Sequence, residues 1–127
     1  MRVNESLKLY RILFEPTRDG LIISGPEGKI LSANQAAADI IGFKKWEELI
    51  GKSTDEFYAD PKQRKTVFKE LMKKGSLQEY GVTLKSVNGD LRNVLVTLTL
   101  FTDKEGNILR INCIFRDITE LYIFLTI

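Results

Sequence analysis

The sequence predicts an α+β domain: five antiparallel strands in one sheet, helices confined to one face, and a further helix flanking the N-terminus. Three observations carry this expectation. The spacing of apolar residues changes along the chain, from helical recurrence to short β-branched runs, back to helical stripes, and then to alternation from residue 77 onward. Turn signals at Gly25-Pro26-Glu27-Gly28 and Asn88-Gly89 each separate two strand-like runs. The 127 residues, 43% hydrophobic and 28% charged, suit one domain with a buried core. Strands grouped apart from helices in this way fit the α+β class.

Each element follows from local chemistry. Residues 4–15 read as a short helix closed by Pro16, with Leu9, Ile12 and Leu13 on one apolar stripe. A stripe of that kind must be covered, and a symmetric homodimer that buries it is expected. Residues 20–24 and 29–33 are the first two strands, around the Gly-Pro turn. Asn34 caps a helix from Gln35 to Ile41 that stops at Gly42, and its alanines permit close packing. Residues 46–50 form a helical turn ending at Gly51. Ser53-Thr54-Asp55-Glu56 has the spacing of a capping box and opens another turn through Phe57 and Tyr58.

Asp60-Pro61 is the clearest helix start in the chain, with Asp as the cap and Pro at the first helical position. That helix runs to Lys74, ends at Gly75, and carries Val67, Phe68, Leu71 and Met72 as its buried stripe. Lys65, Lys69 and Lys73 recur on another face without interleaved aromatics, and read as a solvated surface.

Three strands follow, at 77–86, 91–101 and 108–117, joined by turns at Asn88-Gly89 and Asp103-Lys104-Glu105-Gly106. Alternation places Tyr80, Val82 and Leu84 on one side of the first, and Val94, Val96, Leu98 and Leu100 on one side of the second. On the third it groups Leu109, Ile111, Cys113 and Phe115. The opposite face collects Leu95, Thr97, Thr99 and Phe101 with Ile108, Arg110, Asn112 and Ile114. Local pattern leaves the strand order open. The apolar tail at 121–127 reads as the start of a connecting helix, an extra strand, or a stub of a larger protein.

Composition excludes much chemistry. The chain has no histidine, so Ser-His or Cys-His catalysis, most zinc sites and His-ligated haem are unavailable within it. A single cysteine forms no internal disulfide, and together with the absence of a secretory signal it sets a cytoplasmic expectation. A formal charge of +2 demands no direct nucleic-acid partner, and no apolar run is long enough to span a bilayer. Gly51-Lys52-Ser53 imitates the end of a phosphate-binding loop, but Trp46 stands where its first glycine is needed and no strand precedes it. No acid/base or nucleophile set suggests an enzyme.

The ordered set of these pieces resembles a PAS domain, the sensory box of bacterial and archaeal signalling proteins. The resemblance is carried by Asp19-Gly20-Leu21-Ile22-Ile23, by Gly28-Lys29-Ile30-Leu31-Ser32-Ala33-Asn34-Gln35-Ala36-Ala37, by Ile41-Gly42-Phe43 and by Glu48-Leu49-Ile50-Gly51-Lys52. It closes with Phe115-Arg116-Asp117-Ile118-Thr119-Glu120. It implies a sheet in the order 2-1-5-4-3 with helices over one face enclosing a small cavity. It also implies a sensory domain at 16–120 between a flanking helix at 1–15 and the apolar segment at 121–127. Such a module would regulate an effector in the same or a larger chain: a histidine kinase of a two-component system, a cyclic-dinucleotide enzyme or a transcription regulator. An alternative is a ligand-free dimerisation module.

Cofactor branches of that family can be checked residue by residue. The reactive cysteine of the flavin-binding light sensors falls at Thr54, and their flavin-facing amides fall at Leu84, Val94 and Phe115, which cannot hydrogen-bond a flavin edge. The haem-ligating histidine is missing. Cys113 reads most simply as a small buried apolar residue. No cofactor and no metal are therefore expected.

The inward set is the candidate ligand cavity: Ile40, Phe57, Phe68, Tyr80, Val82, Leu84, Val94, Val96, Leu98, Cys113 and Phe115. Two readings compete. These side chains fill a core to normal density, which the absence of convergent polar groups favours. Or they line a pocket for a small apolar or amphipathic molecule, held by shape and by the Tyr80 hydroxyl. Asp117 and Thr119 are the candidate signal-transmission residues. Asp117 would pair with Arg92 or Arg116, and Thr119 would cap the segment that leaves the sheet.

Overall fold

The computed structural model describes residues 18–126. The proposed flanking helix, with Leu9, Ile12 and Leu13, lies outside the described residues. Strands β1 (Gly20–Ser24) and β2 (Ile30–Ala33) are followed by helix α1 (Gln35–Ile41) and by two 3-10 turns, Trp46–Leu49 and Thr54–Phe57. Helix α2 (Pro61–Lys74), strands β3 (Ser76–Lys85), β4 (Leu91–Thr102) and β5 (Ile108–Asp117), and helix α3 (Thr119–Thr126) complete the order. The apolar tail is therefore helical as far as Thr126.

The caps form as their chemistry dictates. Asn34 Oδ1 accepts the Ala37 N–H at 2.9 Å, and Asp60 Oδ1 accepts the Lys62 N–H at 2.9 Å. Gly42 and Gly75 end α1 and α2 in the left-handed conformation, with φ of 98° and 79°. Ser53 accepts from the Asp55 N–H, one residue earlier than a capping box requires.

All five strands pair antiparallel in the order β2-β1-β5-β4-β3. The long-range pairing of β1 with β5 joins the two hairpins, and it sets Gly20 opposite Phe115. A Cβ at residue 20 would lie 2.4 Å from the Phe115 ring, so only glycine leaves room for it. Each sheet edge is met at one end: Gly51 N–H donates to Ile30 O and Ile30 N–H to Lys52 O beside β2, and Ala59 N–H donates to Thr83 O on β3.

The core lies between the sheet and the helices. Ala37, Ala38 and Ile41 of α1, Leu49 and Phe57 of the turns, and Val67 and Leu71 of α2 meet the buried faces of β3, β4 and β5. Each large side chain fully buried there contributes about 1.5–3 kcal/mol. Phe115 is the largest of them.

Two bulges correct the simple alternation. On β5, Arg110 pairs with Phe101 and Ile108 with Thr102, so Leu109 is the extra residue. Leu109 is 50% exposed and Ile108 turns inward, the reverse of the expected assignment. On β3, Leu77 pairs with Leu98 and Tyr80 with Val96, and Glu79 takes a positive φ of 48°. Leu77 and Val82 are thereby buried on the same face despite their odd and even positions. Met72 also departs from expectation: it is 37% exposed, because the α2 stripe that reaches the sheet is centred on Val67 and Leu71.

Candidate functional site

Between α2 and the sheet, and open towards the turn from Ser24 to Gly28, lies a cavity of about 210 Å³. A cavity of ~150 Å³ holds benzene, so this one has room for roughly eight non-hydrogen atoms. Seven of the eleven candidates line it: Phe57, Phe68, Leu84, Val96, Leu98, Cys113 and Phe115.

The other four are placed elsewhere. Val82 and Val94 are buried in the packed part of the core. Tyr80 is half-buried against that core and does not reach the cavity. Ile40 lines a polar cleft beside Arg92 and Asp117, because Ile41 is the α1 residue that points inward. Sequence reasoning missed Ile22, Ile41 and Ile111 on the walls, and Ile108, which only the β5 bulge brings in.

It also missed the polar end. The turn from Ser24 to Gly28, with Thr54, Tyr58 and Arg64, contributes to the lining, and Pro26 and Glu27 are exposed at its rim. Tyr58 is brought there by backbone pairing with Leu84 at the edge of β3. Its phenol is held protonated, pushed up to about 12 by burial and by the nearby Cys113. Burial alone pushes the Cys113 thiol up to about 12. Its partial exposure arises where it faces the cavity.

Ser24 is only 4% exposed, and among the described residues neither its hydroxyl nor that of Tyr58 has a hydrogen-bond partner. Arg64 is engaged: its Nε lies 2.6 Å from Asp55 Oδ1, and its guanidinium sits 4.9 Å over the Phe68 ring. The lining is thus apolar with a small polar end, where Arg64 is paired with Asp55 and Glu27 stands at the rim.

The chain leaves the sheet through a compact set of hydrogen bonds. Thr119 donates to Asp117 Oδ1 from both its backbone N–H (2.9 Å) and its hydroxyl (2.6 Å). The same hydroxyl oxygen accepts the Asn93 N–H of β4 at 3.0 Å, and Ile118 N–H donates to Asn93 O at 2.8 Å. Of the two arginines considered for Asp117, Arg92 approaches it at 3.9 Å. Arg116 instead forms a two-pronged pair with Asp19, at 3.1 and 3.2 Å. Among the described residues no cluster of side chains suits a metal ion, and no helix is long and apolar enough to cross a membrane.

A family model for the PAS domain matches residues 18–120. Among solved structures, a PAS domain from Colwellia psychrerythraea superposes with a TM-score of 0.70 at 17% identity, covering 91% of this chain and 98% of that one. The PAS domain of a LuxR-family transcriptional regulator from Burkholderia thailandensis, in complex with ethanol, gives 0.66 at 21% identity, covering 88% and 96%. A PAS domain from a two-component sensor histidine kinase gives 0.66 at 16% identity, covering 91% and 99%. Light-oxygen-voltage domains share the same fold. No curated protein sequence matches the chain.

Proposed function

This chain belongs to the PAS-domain family, and from that membership we propose that it is a sensory and regulatory module without catalysis of its own. It binds a small ligand in its core and passes the bound state through Asp117, Ile118 and Thr119 to an effector in the same or a larger chain. The observation that carries the reading is the cavity of about 210 Å³, walled by apolar side chains from both the helices and the sheet. A pocket so placed couples occupancy to the packing of α2 against the strands. A regulator and a sensor kinase among the structural neighbours support an effector of either kind, and a cytoplasmic setting goes with the same reading.

Native mass spectrometry of the purified chain, followed by thermal shift with small apolar compounds, tests the cavity. Retained or added ligand should raise the melting temperature, and Val67→Phe, which projects a ring into the space, should abolish the shift while leaving the fold intact. A wild-type chain that retains nothing and responds to no compound would instead be the ligand-free dimerisation module.

We further propose a homodimer that buries Leu9, Ile12 and Leu13, three residues outside the described part of the chain. The exposed apolar side chains Leu109 and Ile114 on the outer sheet face are consistent with a covered surface. Sedimentation equilibrium should report twice the 14.5 kDa chain mass. A monomer at high concentration would reject the association.

A further inference from the structure

We propose that the cavity selects an uncharged amphiphile, a monocyclic phenol or alcohol of roughly eight non-hydrogen atoms, whose hydroxyl is held by Tyr58 and Ser24. This rests on the reading of the cavity as a ligand site, and it names the chemistry of the ligand. The volume of about 210 Å³ sets the size, since ~150 Å³ accommodates benzene. The rings of Phe57, Phe68 and Phe115 in the wall suit a flat apolar body.

The polar group follows from the two unpaired hydroxyls. Ser24 is almost wholly buried and Tyr58 is largely so, and both face the cavity without a hydrogen-bond partner among the described residues. Neither hydroxyl is sealed off in the packed interior, so each is open to the space of the cavity, where a ligand oxygen can pair with it. Thr54, the third hydroxyl in the lining, reaches Gly28 O at 3.5 Å, so it is at most weakly engaged.

The absence of charge in the ligand follows from the ionisable groups. Arg64 lies in the lining but is neutralised by Asp55 and packed on Phe68. Glu27 is exposed at the rim and repels anions. A carboxylate or ammonium entering this space loses its water without gaining a free counter-charge.

Binding of p-cresol, toluene and benzoate to the full chain at neutral pH, by calorimetry or competition, tests the inference. The p-cresol affinity should exceed that of toluene by about tenfold, the usual worth of one good hydrogen bond, and benzoate should bind at least tenfold more weakly than p-cresol. Tyr58→Phe and Ser24→Ala should each lower p-cresol affinity several-fold. Unchanged toluene binding would show that the cavity of each variant is intact.

Equal affinity for p-cresol and toluene, with no response to either substitution, would overturn the polar anchor while leaving the cavity a ligand site. Tighter binding of benzoate than of p-cresol would overturn it too. If none of the three binds the wild-type chain, the underlying reading of the cavity falls, and this inference falls with it.

Discussion

Tyr58 and Cys113 both line the cavity as neutral groups. Burial raises the thiol from its ordinary 9.0 to about 12, and the phenol from 10.0 to about 12. The unfolded chain releases the thiol proton near pH 9, whereas the folded chain holds it. The stability this proton carries is therefore complete below pH 9 and is lost as the pH climbs towards 12. Tyr58 adds a loss of the same sign between pH 10 and 12. Urea denaturation across that range should show a falling midpoint, and Cys113→Ala and Tyr58→Phe should each flatten the fall. The raised pKa leaves little thiolate at neutral pH, so the Cys113 thiol should react slowly with alkylating reagents there. Alternation along β5 already places Cys113 on the inward side, whereas nothing in the residues around Tyr58 announces its role. Tyr58 follows Phe57 in a short turn and reads there as a helical residue, and only its pairing with Leu84 turns it inward.

At the scale of elements, the helices depend on caps that also tie them to the sheet. Asn34 Oδ1 accepts from the Leu21 N–H of β1 and from the Ala37 N–H of α1, both at 2.9 Å, while its Nδ2 donates to Asp19 O at 3.0 Å. Asn34→Ala removes a helix cap and leaves the part-buried Leu21 N–H unpaired. The expected cost is about 2 kcal/mol, read as a lower urea midpoint with an unchanged slope. A capping residue of this kind is visible in sequence because its partner lies only three positions away. The strand faces were visible only in part. Alternation assigned Val94, Val96 and Leu98 to the buried side, where they lie. It reversed Ile108 and Leu109, because a bulge depends on how β5 meets β4, and nothing within β5 announces it.

For the whole molecule, the exit of the chain is a separable unit. Helix α3 is held at its start by the bonds among Asp117, Thr119 and Asn93, while its residues Tyr122 to Leu125 are exposed. Thr119→Val keeps the shape of the side chain but removes the hydroxyl that donates to Asp117 and accepts from Asn93. Amide hydrogen exchange should then accelerate several-fold at the start of α3 and at Asn93, with the protection of β1 and β5 unchanged. Uniform acceleration through the sheet would show that the exit is not separable from the core. No change anywhere would show that these bonds do not hold the helix.

What the sequence determined by itself was the chemistry that closes over short spans. The caps at Asn34 and Asp60 and the turn at Asn88-Gly89 rest on interactions between residues close in the chain, and the strands show in the run of residue types along each one, so residue type and spacing suffice to locate them. The tertiary structure alone decided which parts of the interior stay empty, which way bulged residues face, and which acid each arginine meets. Arg116 pairs with Asp19, 97 positions away, and leaves the adjacent Asp117 to Arg92. The cavity, likewise, is space left between side chains of distant segments. Its size is set by how closely α2 can approach the sheet, and no residue specifies that distance alone.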